Sequence, residues 1–170
     1  MAPVDALVSV EEYLHTVYRP DCDYVDGELV DRNVGEKSHA KAQWKLMLLL
    51  HQGRAQWNIF AIQETRVQIS RTRYRVPDIC VFVGPEPAEE IFTRPPFLCI
   101  EILSPEDRMS RMQERIDDYL RFGVEYVWVI DPRSHRAWIY RLEGMHEVHD
   151  GVLRTTRPDI EIPLADVFAE

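Results

Sequence analysis

The sequence has no long hydrophobic run and no segment typical of a secretory signal. Its longest wholly apolar runs are five residues each, at 46–50, 79–83 and 126–130, whereas a helix that crosses a bilayer needs about 20 apolar residues. This excludes a transmembrane helix, and we expect no membrane partner. The N-terminus lacks both a basic segment and a continuous apolar segment, so we expect no secretory signal and a cytoplasmic location.

Cysteine and lysine are both scarce. The three cysteines, Cys22, Cys80 and Cys99, are odd in number and have no CxxC spacing. Cys80 and Cys99 stand inside apolar runs, which is typical of reduced core residues rather than of disulfides or metal ligands. Lysine occurs only at positions 37, 41 and 45, so no lysine is close in sequence to the acidic strands described below.

The composition is that of one folded domain. Of the 170 residues, 45% are hydrophobic and 29% are charged, which excludes a disordered or collagen-like chain and predicts a single domain over 1–170. The net charge of −9 argues against indiscriminate nucleic-acid binding. However, residues 37–75 carry 8 basic and 1 acidic side chains. This stretch could receive a polyanion on one face, or it could form a solvated, salt-bridged surface.

Hydrophobic periodicity and turn signals predict a mixed α/β fold. In the first long helix, predicted over 37–56, the spacing predicts that Trp44, Met47, Leu48 and Leu50 face inward. A hairpin turn is expected at Asp26-Gly27. The other predicted elements are helices over 10–17 and 104–122, strands over 58–70, 75–83, 97–103, 124–130 and 136–142, and short strands or loops after them.

Two carboxylates occupy positions where a charge is expensive. Asp78 follows Pro77 at the start of a buried strand, and Glu101 lies between Ile100 and Ile102 in the next strand. An ionised carboxylate inside a sheet needs a counter-charge or a metal. Two carboxylates on neighbouring strands suit Mg²⁺, with waters and phosphate oxygens as its other ligands. The alternative is that each carboxylate pairs with an arginine of the core.

Three strings of this sequence together resemble a known family. VPDICVF, FLCIEILSPEDR and RMQERIDDYLRFGVEYVWVIDP are similar in content and order to the Uma-two family, a bacterial branch of the PD-(D/E)XK nuclease superfamily. The resemblance extends over about 10–144, and 145–170 would be a C-terminal extension of the same domain. It implies a restriction-endonuclease-like core, in which a mixed β-sheet is flanked by helices, and metal-dependent hydrolysis of DNA phosphodiester bonds.

The resemblance also implies roles for individual residues. Asp78 and Glu101 match the acids of the superfamily motif, as catalytic residues and ligands of Mg²⁺ or Mn²⁺. Glu64, on the preceding strand, is a weaker candidate for a third metal ligand. The superfamily's lysine would stand two residues after the glutamate, where this sequence has Leu103.

The family moves this lysine to the following helix, four residues before a tyrosine, where this sequence has Arg115. Arginine cannot act as a general base, but it can stabilise the charge that develops on the scissile phosphate. Alternatively, Lys41 or Lys45 reaches the site from the first long helix. A third reading makes Arg115 only a solvated partner of Glu114 or Asp118.

Basic residues near the predicted site are candidate nucleic-acid contacts. Such contacts would go mainly to phosphates, so binding would depend strongly on salt and weakly on base sequence. The candidates are Lys37, His39, Lys41, Arg73, Arg75, Arg108 and Arg111.

The sequence therefore predicts a magnesium-dependent endodeoxyribonuclease that acts on DNA. The missing motif lysine supports an alternative from another class, a catalytically weakened nuclease-fold protein that binds nucleic acid or a protein partner without cutting. A further, structural reading treats Trp128, Trp138 and Tyr140 as the surface of a homodimer and the acids as core ion pairs.

Overall fold

A six-stranded mixed sheet forms the centre of the protein. The computed structural model describes residues 7–32 and 35–170. Its helices are α1 (Val10–His15), α2 (Lys37–Gln52), α3 (Arg54–Trp57), α4 (Met109–Phe122) and α5 (Leu164–Phe168). Its strands are β1 (Asp23–Val25), β2 (Glu28–Val30), β3 (Ile59–Gln63), β4 (Val67–Ser70), β5 (Arg73–Arg75), β6 (Ile79–Val83), β7 (Leu98–Ile102), β8 (Tyr126–Asp131), β9 (Arg136–Arg141), β10 (Gly144–Glu147), β11 (Val152–Arg154) and β12 (Glu161–Pro163).

The large sheet has the order β10-β9-β8-β7-β6-β3, and only β7 and β8 are parallel among these neighbours. Because side chains alternate along a strand, β7 sends Ile100 to one face of the sheet and Cys99 to the other. Ile100 packs in a core with Leu46 of α2, while Cys99 packs with Ile116 of α4. The sheet is thus flanked by helices, which confirms the predicted fold class.

A second, smaller sheet has the order β2-β1-β5-β4 and is antiparallel throughout. It begins with the hairpin predicted at Asp26-Gly27, where both residues adopt a positive φ. Tyr13 of α1 packs with Tyr24 and Tyr74 of this sheet. The small sheet therefore has its own aromatic core.

The two strands predicted over 58–70 and 75–83 are each divided between the two sheets. Glu64 breaks the first strand with a φ of 49°, a conformation that does not continue a strand. Pro77 breaks the second strand, because proline has no backbone N–H to donate. At the junction the Glu64 N–H donates to the Asp78 carbonyl at 3.2 Å. The break places Asp78 where the small sheet ends and the large sheet begins.

The predicted inward face of α2 is wrong at two positions. Trp44 is 59% exposed and Leu48 is 37% exposed. The buried positions are Ala42, Gln43, Leu46 and Leu50, so the face of the helix that packs on the sheet includes one small and one polar side chain beside two leucines. The helix also ends at Gln52, and the last turn of the predicted 37–56 segment is the separate helix α3.

Helix α4 begins later than the predicted 104–122 segment, at Met109. The preceding residues form a turn, in which the Ser104 N–H donates to Asp107 Oδ2 at 2.6 Å and the Asp107 N–H donates to the Ser104 carbonyl at 3.0 Å. The helix ends as predicted at Gly123, whose φ of 113° favours glycine.

The C-terminal segment packs on the main core. Strands β11 and β12 pair with each other, and Leu153, Ile160 and Val167 join the cluster that contains α2. Short strands were predicted here, and α5 was not.

Several expectations about single residues can be compared with the structure. All three cysteines are free and buried, as predicted. Trp128 is fully buried, so its assignment to a homodimer surface is wrong, and Trp138 and Tyr140 are half-buried against the core on the α4 side of the sheet. None of the described helices is long and apolar enough to span a bilayer. The signal-peptide prediction concerns residues 1–6 in part, and these lie outside the described residues.

Candidate active site

Asp78 is buried between the two sheets and is surrounded by hydrogen-bond donors. Its Oδ1 accepts from Arg32 Nη2 at 2.5 Å. Its Oδ2 accepts from the Ile102 N–H at 2.7 Å and lies 3.3 Å from His39 Nε2. Burial alone would raise the pKa of Asp78, but the bond to His39 and the charge of Arg32 outweigh it and lower the pKa. Asp78 is therefore ionised at neutral pH.

Glu101 lies on the neighbouring strand and is 1% exposed. Its Oε2 accepts from Arg115 Nη1 at 2.9 Å, and its Oε1 accepts from the Tyr119 hydroxyl at 2.6 Å. Burial raises the pKa of Glu101 to about 7, against the opposing charge of Arg115. The antiparallel register that sets Ile79 opposite Ile100 brings Asp78 and Glu101 to facing positions, and the charge of Asp78 contributes to the raised pKa of Glu101.

A buried ion-pair network continues from Arg115 into the small sheet. Arg115 Nε lies 3.3 Å from Asp23 Oδ2, but it makes no hydrogen bond within the described part of the chain. Asp23 Oδ2 accepts from Arg75 Nη1 at 3.0 Å, and Arg75 Nε donates to Asp118 Oδ2 at 2.8 Å. Arg115 therefore lies between two carboxylates, from β7 and β1, and neither is the predicted alternative partner, Glu114 or Asp118.

A cleft of about 220 Å³ opens beside these residues. Asp78 and Arg115 line it, together with Arg108, which directly precedes α4, and Arg111 from the first turn of α4. Acidic residues of the first hairpin and of the turn before α4 also line it, namely Glu28, Asp31, Glu106 and Asp107. A phosphate group in this cleft would lie beside Asp78 and Arg115.

The structure places Glu64 at the edge of this arrangement. Its side chain is exposed, and its Oε1 accepts from Gln43 Nε2 at 3.2 Å. The same Gln43 amide donates to the Asp78 carbonyl oxygen at 3.1 Å. Glu64 is thus linked to Asp78 through Gln43, and the structure shows no direct contact between the two carboxylates among the described residues.

The predicted nucleic-acid contacts fall into three groups. Arg108 and Arg111 line the cleft, and they form no ion pair with any residue that the structure describes. Lys37 and Lys41 lie on α2, beside α5 and outside this cleft. His39 and Arg73 already have carboxylate partners, Asp78 and Asp26 respectively.

Arg75 does not fit its predicted role. It is 3% exposed, and its guanidinium is held by Asp23 and Asp118. Moving it to a phosphate would leave the buried Asp23 and Asp118 with only Arg115 and Arg73, respectively, as counter-charges, which is costly. The sequence prediction treated Arg75 as part of an exposed basic turn, because nothing in its neighbourhood indicated distant acidic partners.

Three site residues were missed by sequence reasoning. Arg32 follows the first hairpin, and Gln43 is a polar residue on the buried face of α2. Tyr119 served to locate Arg115 and as an apolar helix position, but it was not predicted to contact Glu101. The sequence did hold a signal for Gln43, because a polar residue among the inward-facing positions of a helix is unusual. No comparable signal marked Arg32, which contacts Asp78 from 46 residues away.

The donor set of the two central acids fits a divalent cation of the magnesium type. Such a cation is commonly held by one or two carboxylates, with waters and substrate phosphates as its other ligands. Among residues 7–32 and 35–170 there is no cluster of three or more His, Cys, Asp or Glu side chains for a metal. Asp78 and Glu101 would therefore hold the cation, and both now pair with arginines, as the alternative sequence interpretation expected.

Comparison with solved structures shows the same fold in another protein. The crystal structure of "a putative nuclease belonging to DUF820" from Anabaena variabilis ATCC 29413 superposes with a TM-score of 0.80 at 21% sequence identity. The match covers 95% of this chain and 98% of that one. No curated protein matches this sequence.

Comparison with protein families agrees with the fold. The model of the family Uma2, described as "Putative restriction endonuclease", matches residues 10–165, from the first helix into the last. This range includes Asp78, Glu101, Arg115 and the whole central sheet. The chain therefore belongs to the Uma2 family.

Proposed function

We propose that this protein is a metal-dependent endonuclease that hydrolyses phosphodiester bonds of DNA. The observation that carries the proposal is the convergence beside an open cleft of Asp78, which directly precedes β6, with Glu101 of β7 and Arg115 of α4. Membership of the Uma2 family supports it. A Mg²⁺ or Mn²⁺ ion held by Asp78 and Glu101 would lower the pKa of a water molecule and offset the charge of the scissile phosphate.

The protein's own residues supply orientation and positive charge. Tyr119 and Arg115 each donate a hydrogen bond to Glu101 and so fix its carboxylate. Arg115 cannot accept a proton from water, because its guanidinium stays charged at any working pH. It would instead stabilise negative charge on the phosphate, from a position fixed between Glu101 and Asp23.

Substrate DNA would be held mainly by phosphate contacts. Arg108 and Arg111 line the cleft and have no carboxylate partner in the described part of the chain. Lys37 and Lys41 would contact a longer duplex farther from the cleft. Such contacts make binding strongly dependent on salt. The expected homodimer stays a prediction, which analytical ultracentrifugation would test.

Nicking of supercoiled plasmid with Mg²⁺ or Mn²⁺ tests the proposal. We expect the wild type to cut and Glu101→Gln to lose at least about 100-fold in rate, since the substitution removes a ligand charge. The matched control is Glu125→Gln, an exposed carboxylate outside the cleft, which should cut like the wild type. Equal cutting by wild type and Glu101→Gln would contradict this assignment of the site.

A second candidate function rests on a specific observation. Leu103 stands at the superfamily's lysine position, and both acids are paired with arginines. These features suit a nuclease-fold protein that binds nucleic acid without cutting it. Salt-sensitive DNA binding in EDTA, with no nicking by the wild type and nicking by Arg115→Lys, would favour this second function.

A further inference from the structure

The two arginines that pair with the acids are held very differently. Arg115 lies in the middle of α4 and contacts two buried carboxylates, Glu101 and Asp23. Arg32 follows the end of β2 by two residues. Within the described part of the chain, its guanidinium has one hydrogen-bonding partner, Asp78. Of the two cations in the site, Arg32 is the one that can leave without breaking a second ion pair.

Arg32 also occupies the part of Asp78 that a cation would need. Oδ2 of Asp78 is held by the Ile102 N–H and lies near His39, and Oδ1 accepts from Arg32 at 2.5 Å. A divalent cation that approached Oδ1 would meet a guanidinium of the same charge sign at hydrogen-bonding distance. The two cations cannot share this oxygen, because like charges at such a distance repel strongly.

The cleft offers the released side chain other partners. Arg32 lines the cleft together with Glu28, Asp31 and Glu106. These three carboxylates form no ion pair with the residues described by the structure. A guanidinium that swings away from Asp78 can therefore remain in the cleft with an acidic partner or with a substrate phosphate.

We propose that Arg32 is a displaceable counter-ion of Asp78, so that a divalent cation binds this site only by displacing the Arg32 guanidinium. The inference rests on the proposed function, since it assumes that Asp78 is a cation ligand. It adds a regulatory property, because Arg32 neutralises Asp78 in the free protein and so keeps the cation affinity of the site low. Arg32 is thus a positioning residue whose effect is seen in binding rather than in the chemical step.

Direct binding of Mn²⁺ tests this without nucleic acid or activity. Titration followed by the electron paramagnetic resonance signal of free Mn²⁺ should show about tenfold tighter binding by Arg32→Gln than by the wild type, the factor that corresponds to one charge-assisted hydrogen bond. Arg32→Lys keeps the positive charge and should stay near the wild type. Arg121→Gln removes an equal charge from the exposed surface of α4 and should also leave binding unchanged.

A second substitution shows where the gained affinity resides. Adding Asp78→Asn to Arg32→Gln should abolish the gain. Equal or weaker binding by Arg32→Gln, with measurable binding by the wild type, would overturn the inference and leave the proposed function standing. Absence of Mn²⁺ binding in every variant would overturn both.

A measurement on the wild type guards against a folding defect in Arg32→Gln. Saturation with Mg²⁺ should change the NMR signals of the Arg32 guanidinium Nη–H groups, because Nη2 loses its hydrogen bond to Asp78 Oδ1. The exposed Arg136, which pairs with Glu147, is the internal reference and should not change. Mg²⁺ binding that leaves the Arg32 signal unaltered would also refute the displacement.

Discussion

The residues at the centre of the site are ionisable groups in a place where single charges are unfavourable. Asp78 and Glu101 are 4% and 1% exposed, and an isolated carboxylate at such a depth would be neutralised by a shift of its pKa. Arg32 and Arg115 prevent this for Asp78 and reduce it for Glu101. The free protein therefore satisfies its acids internally, and the proposed binding of a cation would have to change this balance.

His39 gives the site a dependence on pH. Burial alone would lower its pKa, but the hydrogen bond to Asp78 and the charge of Asp78 outweigh burial and raise the pKa above 6.5. The pair's contribution to stability is complete below pH 6.5 on this account, and it is lost as pH rises through the raised pKa of His39. On the acid side it persists below pH 3.8, because the pKa of Asp78 is lowered.

We therefore predict that His39→Gln lowers the free energy of unfolding by about 1 kcal/mol at pH 5, as expected for one charge-assisted hydrogen bond, and by less at pH 8.5. Urea unfolding at the two pH values measures this difference. The exposed His146 on β10 provides a control substitution, since its side chain has no ion-pair partner in the described residues. A larger effect of His39→Gln at pH 8.5 than at pH 5 would contradict the charged pair.

At the residue scale, the sequence identified the two acidic site residues better than the arginines that pair with them. The positions of Asp78 and Glu101 in apolar segments marked them as exceptional, and the register of β6 and β7 brings them to facing positions. Arg115 was selected by its spacing from Tyr119, and it does contact Glu101. Arg32 was missed, because a long-range ion pair leaves no periodic pattern in a sequence.

Among the elements, α2 shows how far hydrophobic periodicity can be trusted. The helix has apolar residues on several sides, so more than one phase fitted its sequence. The structure selects the phase that buries Leu46 and Leu50 and sends Gln43 to the site. Trp44 is left outside, 5.5 Å from Lys45 Nζ as measured to its ring centroid.

This orientation predicts that substitutions at two nearby positions, 44 and 46, change the stability of the protein by very different amounts. Leu46→Ala should lower the free energy of unfolding by about 2–5 kcal/mol, because it opens a cavity in the core. Trp44→Ala removes a larger side chain but should change stability by less than about 1 kcal/mol, since the ring is mostly in solvent. Chemical denaturation of both variants measures the difference, and the reverse order would show that the helix presents its other face.

The strands between residues 58 and 83 illustrate a different limit of sequence reasoning, because their positions were predicted but the sheet to which each belongs was not. Alternation predicted the strand positions around residues 58–83, but not the change of sheet at Glu64 and Pro77. Proline was present as a signal, whereas the positive φ of Glu64 was not evident from its residue type. Strand periodicity is local, and membership of a sheet depends on partners far away in sequence.

On the scale of the whole molecule, the charged network adds to the packing that joins the small sheet to α4, since Val67 of β4 lies in the same hydrophobic cluster as Ile116. The aromatic core of the small sheet is distinct from the two clusters on either face of the large sheet. Arg75 of the small sheet donates to Asp118 of α4, and Arg115 of α4 donates to Glu101 of the large sheet. The network thus helps to set the position of the small sheet, whose hairpin supplies one wall of the cleft.

Arg75 is one of two arginines beside each of two buried carboxylates, since Asp23 also lies near Arg115 and Asp118 also pairs with Arg73. Arg75→Met should therefore lower the free energy of unfolding by about 2–3 kcal/mol, because each carboxylate keeps only one counter-charge. Adding Asp118→Asn should restore part of this loss, since it removes one of the two buried charges that lost a partner, and the double variant should be more stable than the sum of the single effects predicts. Arg136→Met is the matched control: its guanidinium pairs with Glu147 on the exposed surface, where removal should change stability little. Equal effects of Arg75→Met and Arg136→Met in urea denaturation would mean that packing, and not charge, joins the small sheet to α4.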